Sequence, residues 1–270
     1  IWHDCQMYNA DRVVLAFVHS AVDAGAVAAN YLEVTGWISD GKRVSGVTAQ
    51  DRAGLNVLDI RARLIINATG PGSATLTKNL PLPARPGAAP GLAQAMNLIT
   101  RSVTQEYALG GLTGSRFLFA LPWRGVSIIG TSHDRFEPRQ HSVGIKEADV
   151  RAFLRQVNDA FPLAALTMQD VQLVHSGLLP ATDASGQQLL KTSLIRDHRS
   201  DGLEGLMSVV GVRYTTARRT AELVVDRVFS LLGQRPPPCR TAVTPITGGD
   251  IGDFEQFFAA ATEPHGGSVA

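Results

Sequence analysis

This sequence of 270 residues has little cysteine, no long apolar run and almost no net charge. Cys5 and Cys239 form neither a disulfide framework nor the spacing of a metal site. No apolar segment approaches the ~20 residues that span a bilayer, and no signal-peptide pattern opens the chain. The formal net charge of +1 gives no argument for nucleic-acid binding and leaves peripheral membrane contact open. These absences predict a globular protein in the cytoplasm.

The sequence also lacks the turn that holds the phosphates of a dinucleotide. A dinucleotide-binding fold needs a strand, a G-x-G-x-x-G turn and a helix whose N-terminal amides bind the pyrophosphate. No such motif occurs in the chain. If the chain takes part in dinucleotide binding, another segment must supply this turn, and the chain alone should bind weakly or not at all.

The sequence does contain a short apolar run that ends in small residues. Residues 64–66 are all apolar and predict a strand buried on both faces, as in a parallel α/β sheet. Ala68, Thr69 and Gly70 follow with little side-chain bulk, and open α/β sheets bind ligands beyond the carboxyl ends of such strands. From these residues alone, an ordinary exit from strand to turn is the simpler explanation.

Regular elements are predicted on the N-terminal side of this strand. Apolar residues at i, i+3 and i+4 predict a helix that has Asp11 as its N-cap and ends at Gly25. A strand over 27–34 follows it. Turn signals then divide the chain into a meander of three strands between about Asn30 and Ile60.

The residues after position 72 form a second region. A Pro/Gly-rich segment at 81–91 is its predicted boundary. Beyond it we predict mainly antiparallel strands and a helix over 145–160 that Pro162 ends. The predicted strands lie at 95–99, 116–121, 126–131, 171–180, 189–195 and 206–210.

A second stretch of chemical interest, 209–218, joins a strand that ends at Gly211 to a helix. Thr215 or Thr216 is the predicted cap of that helix. Arg213 lies between the two elements, where a helix N-terminus and a cation together would stabilise negative charge. A surface arginine that pairs with a carboxylate of the nearby 201–204 segment would explain the same residue.

Together these motifs resemble the FAD-dependent oxidoreductases of the D-amino-acid oxidase superfamily, and within it the FAD-dependent glycerol-3-phosphate dehydrogenases. The resemblance rests on the meander leading into Asn-Ala-x-Gly-Pro and on the Phe-x-x-Pro-Trp-Arg-Gly hairpin followed by Ile-Ile-Gly-Thr. It also rests on the strand-to-helix stretch, which is similar to the family's Gly-Gly-Lys-x-Thr-Thr-x-Arg. It covers roughly residues 11–249. In that family the phosphate-binding turn lies upstream of the helix at Asp11, so this segment is expected to be missing here.

The resemblance implies FAD as the cofactor, with Val34 at the adenine and the two strand ends at the flavin. An ordinary core valine would also explain Val34. Val212 and Arg213 stand where the family has glycine and lysine, and arginine keeps the charge with a different geometry. The cofactor-binding residues implied in this way are Val34, Ala68, Thr69, Gly70, Gly211, Val212, Arg213, Tyr214, Thr215 and Thr216.

For the substrate, the resemblance implies contacts from Asn97, Arg124 and Arg213, with Arg213 and His133 as the catalytic residues. Asn97 stands where the family has a histidine, and an amide is no general base. His133 is therefore the best titratable candidate, although a lone histidine is more often structural and an arginine in a turn is more often a solvated charge. Leu179 stands where the family has an arginine that binds an anionic group, and leucine cannot hold phosphate.

The sequence thus predicts an α/β protein with an incomplete Rossmann-like FAD-binding domain, a β-meander and a mainly antiparallel substrate domain. Residues 1–80 and 206–233 are assigned to the FAD-binding part, 81–205 to the substrate domain and 234–270 to a C-terminal extension. The predicted reaction is hydride transfer from a small hydroxy or amino substrate to FAD, and no metal is expected. The alternative is a non-catalytic remnant, or half of a split protein that needs a partner segment.

Overall fold

The computed structural model describes residues 6–78, 80, 91–114, 116–136, 144–183, 185–186 and 188–262. The predicted Pro/Gly-rich boundary lies outside these residues except for Gly91, and so do Cys5 and the end of the predicted extension. The predicted mixed α/β class is confirmed. The helices are α1 (Ala10–Asp23), α2 (Ser73–Thr77), α3 (Glu147–Ala160), α4 (Ala217–Leu231) and α5 (Phe254–Thr262). The strands are β1 (Leu32–Ser39), β2 (Val44–Asp51), β3 (Val57–Arg61), β4 (Ile65–Asn67), β5 (Gly91–Arg101), β6 (Leu109–Thr113), β7 (Arg116–Trp123), β8 (Val126–Arg135), β9 (Val171–Ala181), β10 (Leu194–Asp197) and β11 (Leu206–Val210).

The chain divides into two compact units. The first unit takes Ile1–Glu33, Gln50–Asn56 and Tyr214–Ala270, and the second takes Val34–Ala49 and Val57–Arg213. The second unit therefore contains almost all of the strands, and the first contains α1, α4 and α5.

The N-terminal helix of the first unit differs from its prediction at both ends. Helix α1 begins at Ala10 with Asn9 in the N-cap position, so Asp11 lies in the first turn and is not the cap. Gly25 has φ +93° and follows the helix as predicted, because glycine adopts this left-handed conformation without strain. The strand predicted over 27–34 begins only at Leu32, since Tyr31 has φ +54° and interrupts extended backbone.

The helix predicted near Thr215 begins slightly later, at Ala217. A turn of 3-10 helix, Tyr214–Thr216, precedes it. Thr216 occupies the N-cap position but its side chain makes no capping hydrogen bond. Thr216 is therefore one of the two predicted cap residues, but it does not stabilise the helix through a side-chain hydrogen bond.

Strands β1, β2 and β3 form a three-stranded sheet in this order, which confirms the predicted meander. Its first turn is fixed by Asp40, whose Oδ1 accepts hydrogen bonds from the backbone N–H groups of Lys42 (2.9 Å) and Arg43 (2.8 Å). These bonds lower the pKa of the Asp40 carboxyl. Gly41 inside the turn has φ +89°.

The predicted strand at 64–67 is present as β4, but it is not buried on both faces. Asn67 is only 3% exposed, whereas Ile66 remains 42% exposed. Strand β4 lies at the end of a second sheet of order β10-β11-β4, and in the described part of the chain no strand pairs with its other edge. The strand predicted over 189–195 is wrong in extent, because only a single bridge at Leu189 and the later strand β10 form there.

A five-stranded antiparallel sheet of order β6-β7-β8-β5-β9 holds the larger core of the second unit. Helix α3 packs on one of its faces through the apolar stripe of Val150, Phe153, Leu154 and Val157. Strand β6 was not predicted, since Gly110 and Gly111 weaken its strand pattern. A side chain at position 111 would lie 2.6 Å from the carbonyl oxygen of Ala160, so the glycine allows helix and sheet to approach closely.

The hairpin between β7 and β8 has the compact turn that the sequence predicts. Arg124 and Gly125 are its two loop residues, with φ +52° and φ +79°. Positive φ at both central positions is typical of the type I′ turn, whose twist matches that of the flanking strands.

We expect the core beneath α3 to control the stability of the second unit. Phe153 is 1% exposed, so Phe153→Ala would leave a cavity and should lower the free energy of unfolding by about 3–5 kcal/mol. Arg155→Ala on the exposed face of the same helix is the control and should change it by less than about 0.5 kcal/mol. Urea denaturation followed by circular dichroism measures both. Equal effects of the two substitutions would contradict this description of the core.

Candidate functional site

The two stretches singled out in the sequence come together at one edge of the sheet β10-β11-β4. Strands β11 and β4 are parallel, with Leu206 opposite Ile65 and Ser208 opposite Asn67. Carboxyl ends of parallel neighbours lie at the same edge of a sheet. Gly70, three residues beyond β4, and Gly211, immediately after β11, therefore belong to one edge. We refer to this region, residues 68–70 and 211–213, as the strand edge.

Asn67 organises the exit of the chain from β4. Its Oδ1 accepts hydrogen bonds from the backbone N–H (3.2 Å) and the hydroxyl (2.6 Å) of Thr69, and its Nδ2 donates to Ser73 Oγ (3.1 Å). Gly70 has φ +55°, and a Cβ on it would meet no atom within 4 Å. The glycine is thus required by the backbone conformation, and open space lies beside it.

The exit from β11 is similarly uncrowded. A Cβ added to Gly211 would also meet no atom within 4 Å. Val212 and Arg213 complete this part of the second unit. Of the other predicted cofactor residues, Tyr214, Thr215 and Thr216 form the 3-10 turn of the first unit, and Val34 lies half-buried in β1 of the meander.

Of the predicted substrate residues, Asn97 and His133 lie in strands of the five-stranded sheet, and Arg124 lies in the turn between its strands β7 and β8. Asn97 lies at a bulge in β5, and a Cβ at Gly130 of β8 would fall 1.8 Å from its Oδ1. His133 on β8 pairs with Ala95 of β5. Leu179 on β9 is opposite Ala93 and presents an apolar side chain where the resemblance would place a cation.

An aromatic group on the same sheet was not singled out from the sequence. His175 on β9 is opposite Asn97, and its ring lies 6.4 Å from the ring of Trp123 at 73°. The guanidinium of Arg124 lies 4.8 Å above the Trp123 ring, within the range of a cation–π contact. Alternation along β7 directs Trp123 away from the face that carries the buried Leu118 and Ala120. A histidine within the predicted strand 171–180 was the available signal.

A cavity of about 50 Å³ lies between the sheet β10-β11-β4 and the segment at 70–77. This volume has room for a few water molecules. Its wall includes Gly70, Thr77, Arg196, His198 and Ser208.

A buried polar network forms part of this cavity wall. His198 is 4% exposed, and both of its ring nitrogens are hydrogen-bonded. Nε2 lies 2.8 Å from Ser208 Oγ, and Nδ1 lies 3.1 Å from Asp201 Oδ2. Arg196 binds the same carboxylate in a bidentate manner, through Nε (2.8 Å) and Nη2 (2.7 Å). The serine within the apolar strand β11 is the one signal of this network in the sequence.

The charges of this network shift its pKa values in opposite senses. The hydrogen bonds from Arg196 lower the pKa of Asp201, and the same contact raises the pKa of Arg196. Burial lowers the pKa of His198 from 6.5, and the contact with Asp201 only partly opposes this effect. The network therefore holds an ionised carboxylate, a charged guanidinium and a neutral imidazole at neutral pH.

Two further features bear on the chemistry of the chain. Within the described ranges, no group of three or more histidine, cysteine, aspartate or glutamate side chains is arranged to hold a metal ion. Among the helices described, none has both the length and the apolar character needed to cross a membrane.

Comparisons with known proteins agree with the resemblance in the sequence. A family model described as FAD dependent oxidoreductase matches residues 1–227. A glycerol-3-phosphate dehydrogenase of Synechocystis sp. is 26% identical over 279 aligned residues, which cover 92% of this chain and 48% of that protein. The mitochondrial glycerol-3-phosphate dehydrogenase of Mesocricetus auratus is 28% identical over 265 residues, covering 92% of this chain and 35% of that protein.

A solved structure shows the same similarity. Glycerol-3-phosphate dehydrogenase from Bacillus halodurans, solved in complex with FAD, superposes with a TM-score of 0.74 at 28% identity. The match covers 93% of this chain and 48% of that one. The chain thus spans half or less of the length of these relatives.

Protonation of His198 should make the protein less stable in acid. The unfolded chain binds a proton at this histidine near pH 6.5, whereas burial beside Arg196 opposes protonation in the folded state. The acidic neighbours Asp197 and Asp201 reduce this difference without reversing it. The free energy of unfolding should therefore be level above pH 6.5 and fall as the pH drops below it.

Urea denaturation between about pH 7.5 and about pH 5 measures this slope. His198→Gln removes the titrating group and should flatten the slope in this window. His19→Gln, on the exposed surface of α1, is the control and should keep the slope of the unsubstituted chain. The assignment to His198 is wrong if the slope survives in His198→Gln. Loss of the Asp201 contribution belongs to a separate window below pH 3.8.

Proposed function

The chain belongs to the family of FAD-dependent oxidoreductases, and from this premise we propose that it forms part of a dehydrogenase or oxidase. The reaction is hydride transfer from a small hydroxy or amino compound to FAD. The glycerol-3-phosphate dehydrogenases among its relatives support a CH–OH donor.

One observation carries this proposal: the parallel pairing of β4 and β11 puts two uncrowded glycine-containing exits at the same edge. Open space beside Gly70 and Gly211 suits a planar ring that approaches the backbone. We propose that the flavin is contacted by the backbone of five residues: Ala68, Thr69, Gly70, Gly211 and Val212. Tyr214, Thr215 and Thr216 are assigned to the same cofactor, and Val34 to its adenine.

Arg213 has the electrostatic role in this proposal. FAD, when bound, supplies the hydride acceptor, and the reduced flavin carries negative charge. A guanidinium at the end of β11 would stabilise that charge as it develops. If Arg213 instead serves only in an ion pair with a carboxylate of the 201–204 segment, its substitution should leave flavin reduction unchanged.

We assign the substrate to the five-stranded sheet, in the substrate domain at 81–205. Asn97 and Arg124 orient the compound, and His133 is the residue that would take up its proton. Leu179 offers no charge to a phosphate group. The proposed substrate is therefore a small hydroxy or amino compound whose recognition does not depend on an anion held at this position.

A further segment of protein is part of the proposal, because the chain has no G-x-G-x-x-G turn. Among the described residues, no strand pairs with the second edge of β4. A parallel strand of the further segment can pair there. Helix α1 leaves Val14, Leu15 and Phe17 about half exposed, and none of its residues is buried. Apolar faces of this kind are normally covered in a complete domain. In this reading 1–80 and 206–233 form the FAD-binding part, followed by the extension at 234–270.

We expect the chain alone to purify without colour and to bind added FAD weakly, because the phosphate-binding turn is absent. Supplying a segment with this turn, fused or as a separate chain, should restore binding and a flavin absorption spectrum. Tight stoichiometric binding of FAD by the chain alone would contradict this account. Failure of binding with the segment present would favour the non-catalytic alternative.

A glycine substitution tests whether the strand edge holds the ring. A Cβ at position 211 meets no atom within 4 Å, so Gly211→Leu should change the melting temperature little, whereas the added side chain would occupy space proposed for the flavin. In the complemented protein, the Kd for FAD should rise at least about tenfold. Gly252→Leu is the matched control, because a Cβ at position 252 also meets no atom within 4 Å, and it should leave the Kd unchanged.

The same complemented protein tests Arg213. Arg213→Ala should slow the reduction of bound flavin by substrate about a hundredfold, since losing one preorganised contact with developing charge typically costs ~3 kcal/mol. Arg213→Lys restores the charge and should retain more activity than the alanine variant. Stopped-flow absorbance measures flavin reduction, with the exposed Arg235→Ala as control. If neither Arg213 variant changes the rate, the residue does not belong to the site.

A further inference from the structure

We propose that His198 is a positioning residue for the strand edge, and that it acts through the hydroxyl of Ser208. The proposal rests on the proposed function for its role in cofactor binding, whereas its structural part stands on the hydrogen bonds of the second unit alone.

The proton positions in this network follow from its charges. Asp201 is ionised and held by Arg196, so its Oδ2 can only accept a hydrogen bond. Nδ1 of His198 must therefore carry the proton in this pair. Since the imidazole is neutral, Nε2 is an acceptor, and the hydroxyl of Ser208 donates to it. A single tautomer of His198 thus fixes the direction of every hydrogen bond from the guanidinium to the hydroxyl.

The network connects a turn to β11, the strand that precedes Gly211. His198 and Asp201 form the 3-10 turn between β10 and β11, and Ser208 lies within β11. Ser208 is opposite Asn67 in the parallel pair, and Asn67 in turn holds Thr69 and Ser73. Two buried polar groups side by side therefore fix the exits of both strands.

Serine hydrolases also have an aspartate, a histidine and a serine hydrogen-bonded in this succession, as Asp201, His198 and Ser208 are here. Here all five residues of β11 are buried, and Ser208 lies in the middle of the strand. A nucleophile needs an exposed position at a turn or a strand end, so the arrangement is suited to holding the strand and not to attacking a substrate.

Three variants separate the contacts of the network. His198→Gln places an amide near the position of Nε2 and can keep the contact with Ser208. His198→Asn places an amide near Nδ1 and can keep only the contact with Asp201. Ser208→Ala removes the hydroxyl itself. Ser127→Ala is the matched control, because Ser127 is also buried but accepts hydrogen bonds from Val103 and Thr104 in the five-stranded sheet.

Amide hydrogen exchange of the full chain, read by NMR, is the measurement. His198→Asn and Ser208→Ala should speed exchange at 68–73 and 209–213 about tenfold more than in β5 and β8. His198→Gln should have the smaller effect, and Ser127→Ala should spare the strand edge. An equal change in both sheets, or none at the strand edge, would overturn the positioning role.

The tautomer provides a second measurement that survives if a variant fails to fold. Nitrogen-15 NMR of the unsubstituted chain should show His198 with the proton on Nδ1. A proton on Nε2 would overturn the proposed direction of the network. Neither measurement needs FAD, so each is independent of the proposed function.

FAD titration of the complemented protein completes the test. His198→Asn should weaken FAD binding more than His198→Gln does. If the unsubstituted protein fails to bind FAD while the exchange results hold, the proposed function fails and the positioning of the strand edge stands. If FAD binds equally to all variants, the role of His198 in cofactor binding is wrong.

Discussion

The parallel pairing of β11 with β4 is the contact on which the arrangement of the molecule depends. These strands are far apart in the chain, and the whole five-stranded sheet lies between them in sequence. Because the pairing is parallel, the segments that follow the two strands leave the sheet at the same edge, one at Gly70 and the other at Gly211. An antiparallel pairing would send the two exits to opposite ends. The direction of one short ladder thus decides whether the two stretches can serve one ligand.

This edge is held by buried polar groups, which gives it a strict geometry. Asn67, His198, Ser208 and Ser73 are all buried and would be costly to leave without partners. In the described structure, every fully buried side-chain nitrogen or oxygen has a hydrogen-bond partner. An apolar interior tolerates small shifts, whereas such a network loses hydrogen bonds when the strands slide. The same polar groups therefore bring both precision at the strand edge and sensitivity to acid.

Local patterns predicted the elements that local chemistry determines. The stripe of α3, the end of α1 at Gly25 and the turn at Arg124-Gly125 follow from periodicity and from backbone preference, and the structure has all three. Burial was harder to predict, because Ile66 was expected inside the sheet and is 42% exposed. The His198 network was missed since its members meet only through tertiary contacts. Family resemblance indicated the candidate residues, but the pairing of their strands was visible only in the structure.

The proposed function assigns the cofactor and the substrate to different parts of the second unit. The strand edge keeps small residues and a cation at Arg213, which are the features that an approaching planar ring requires. The five-stranded sheet instead presents Trp123, His175 and Leu179, two aromatic groups and an aliphatic one. In the proposed function, backbone contacts at the strand edge would constrain the cofactor, whereas side chains on the five-stranded sheet would constrain the substrate. A change of substrate can therefore proceed by substitutions on the sheet while the geometry of the strand edge is retained.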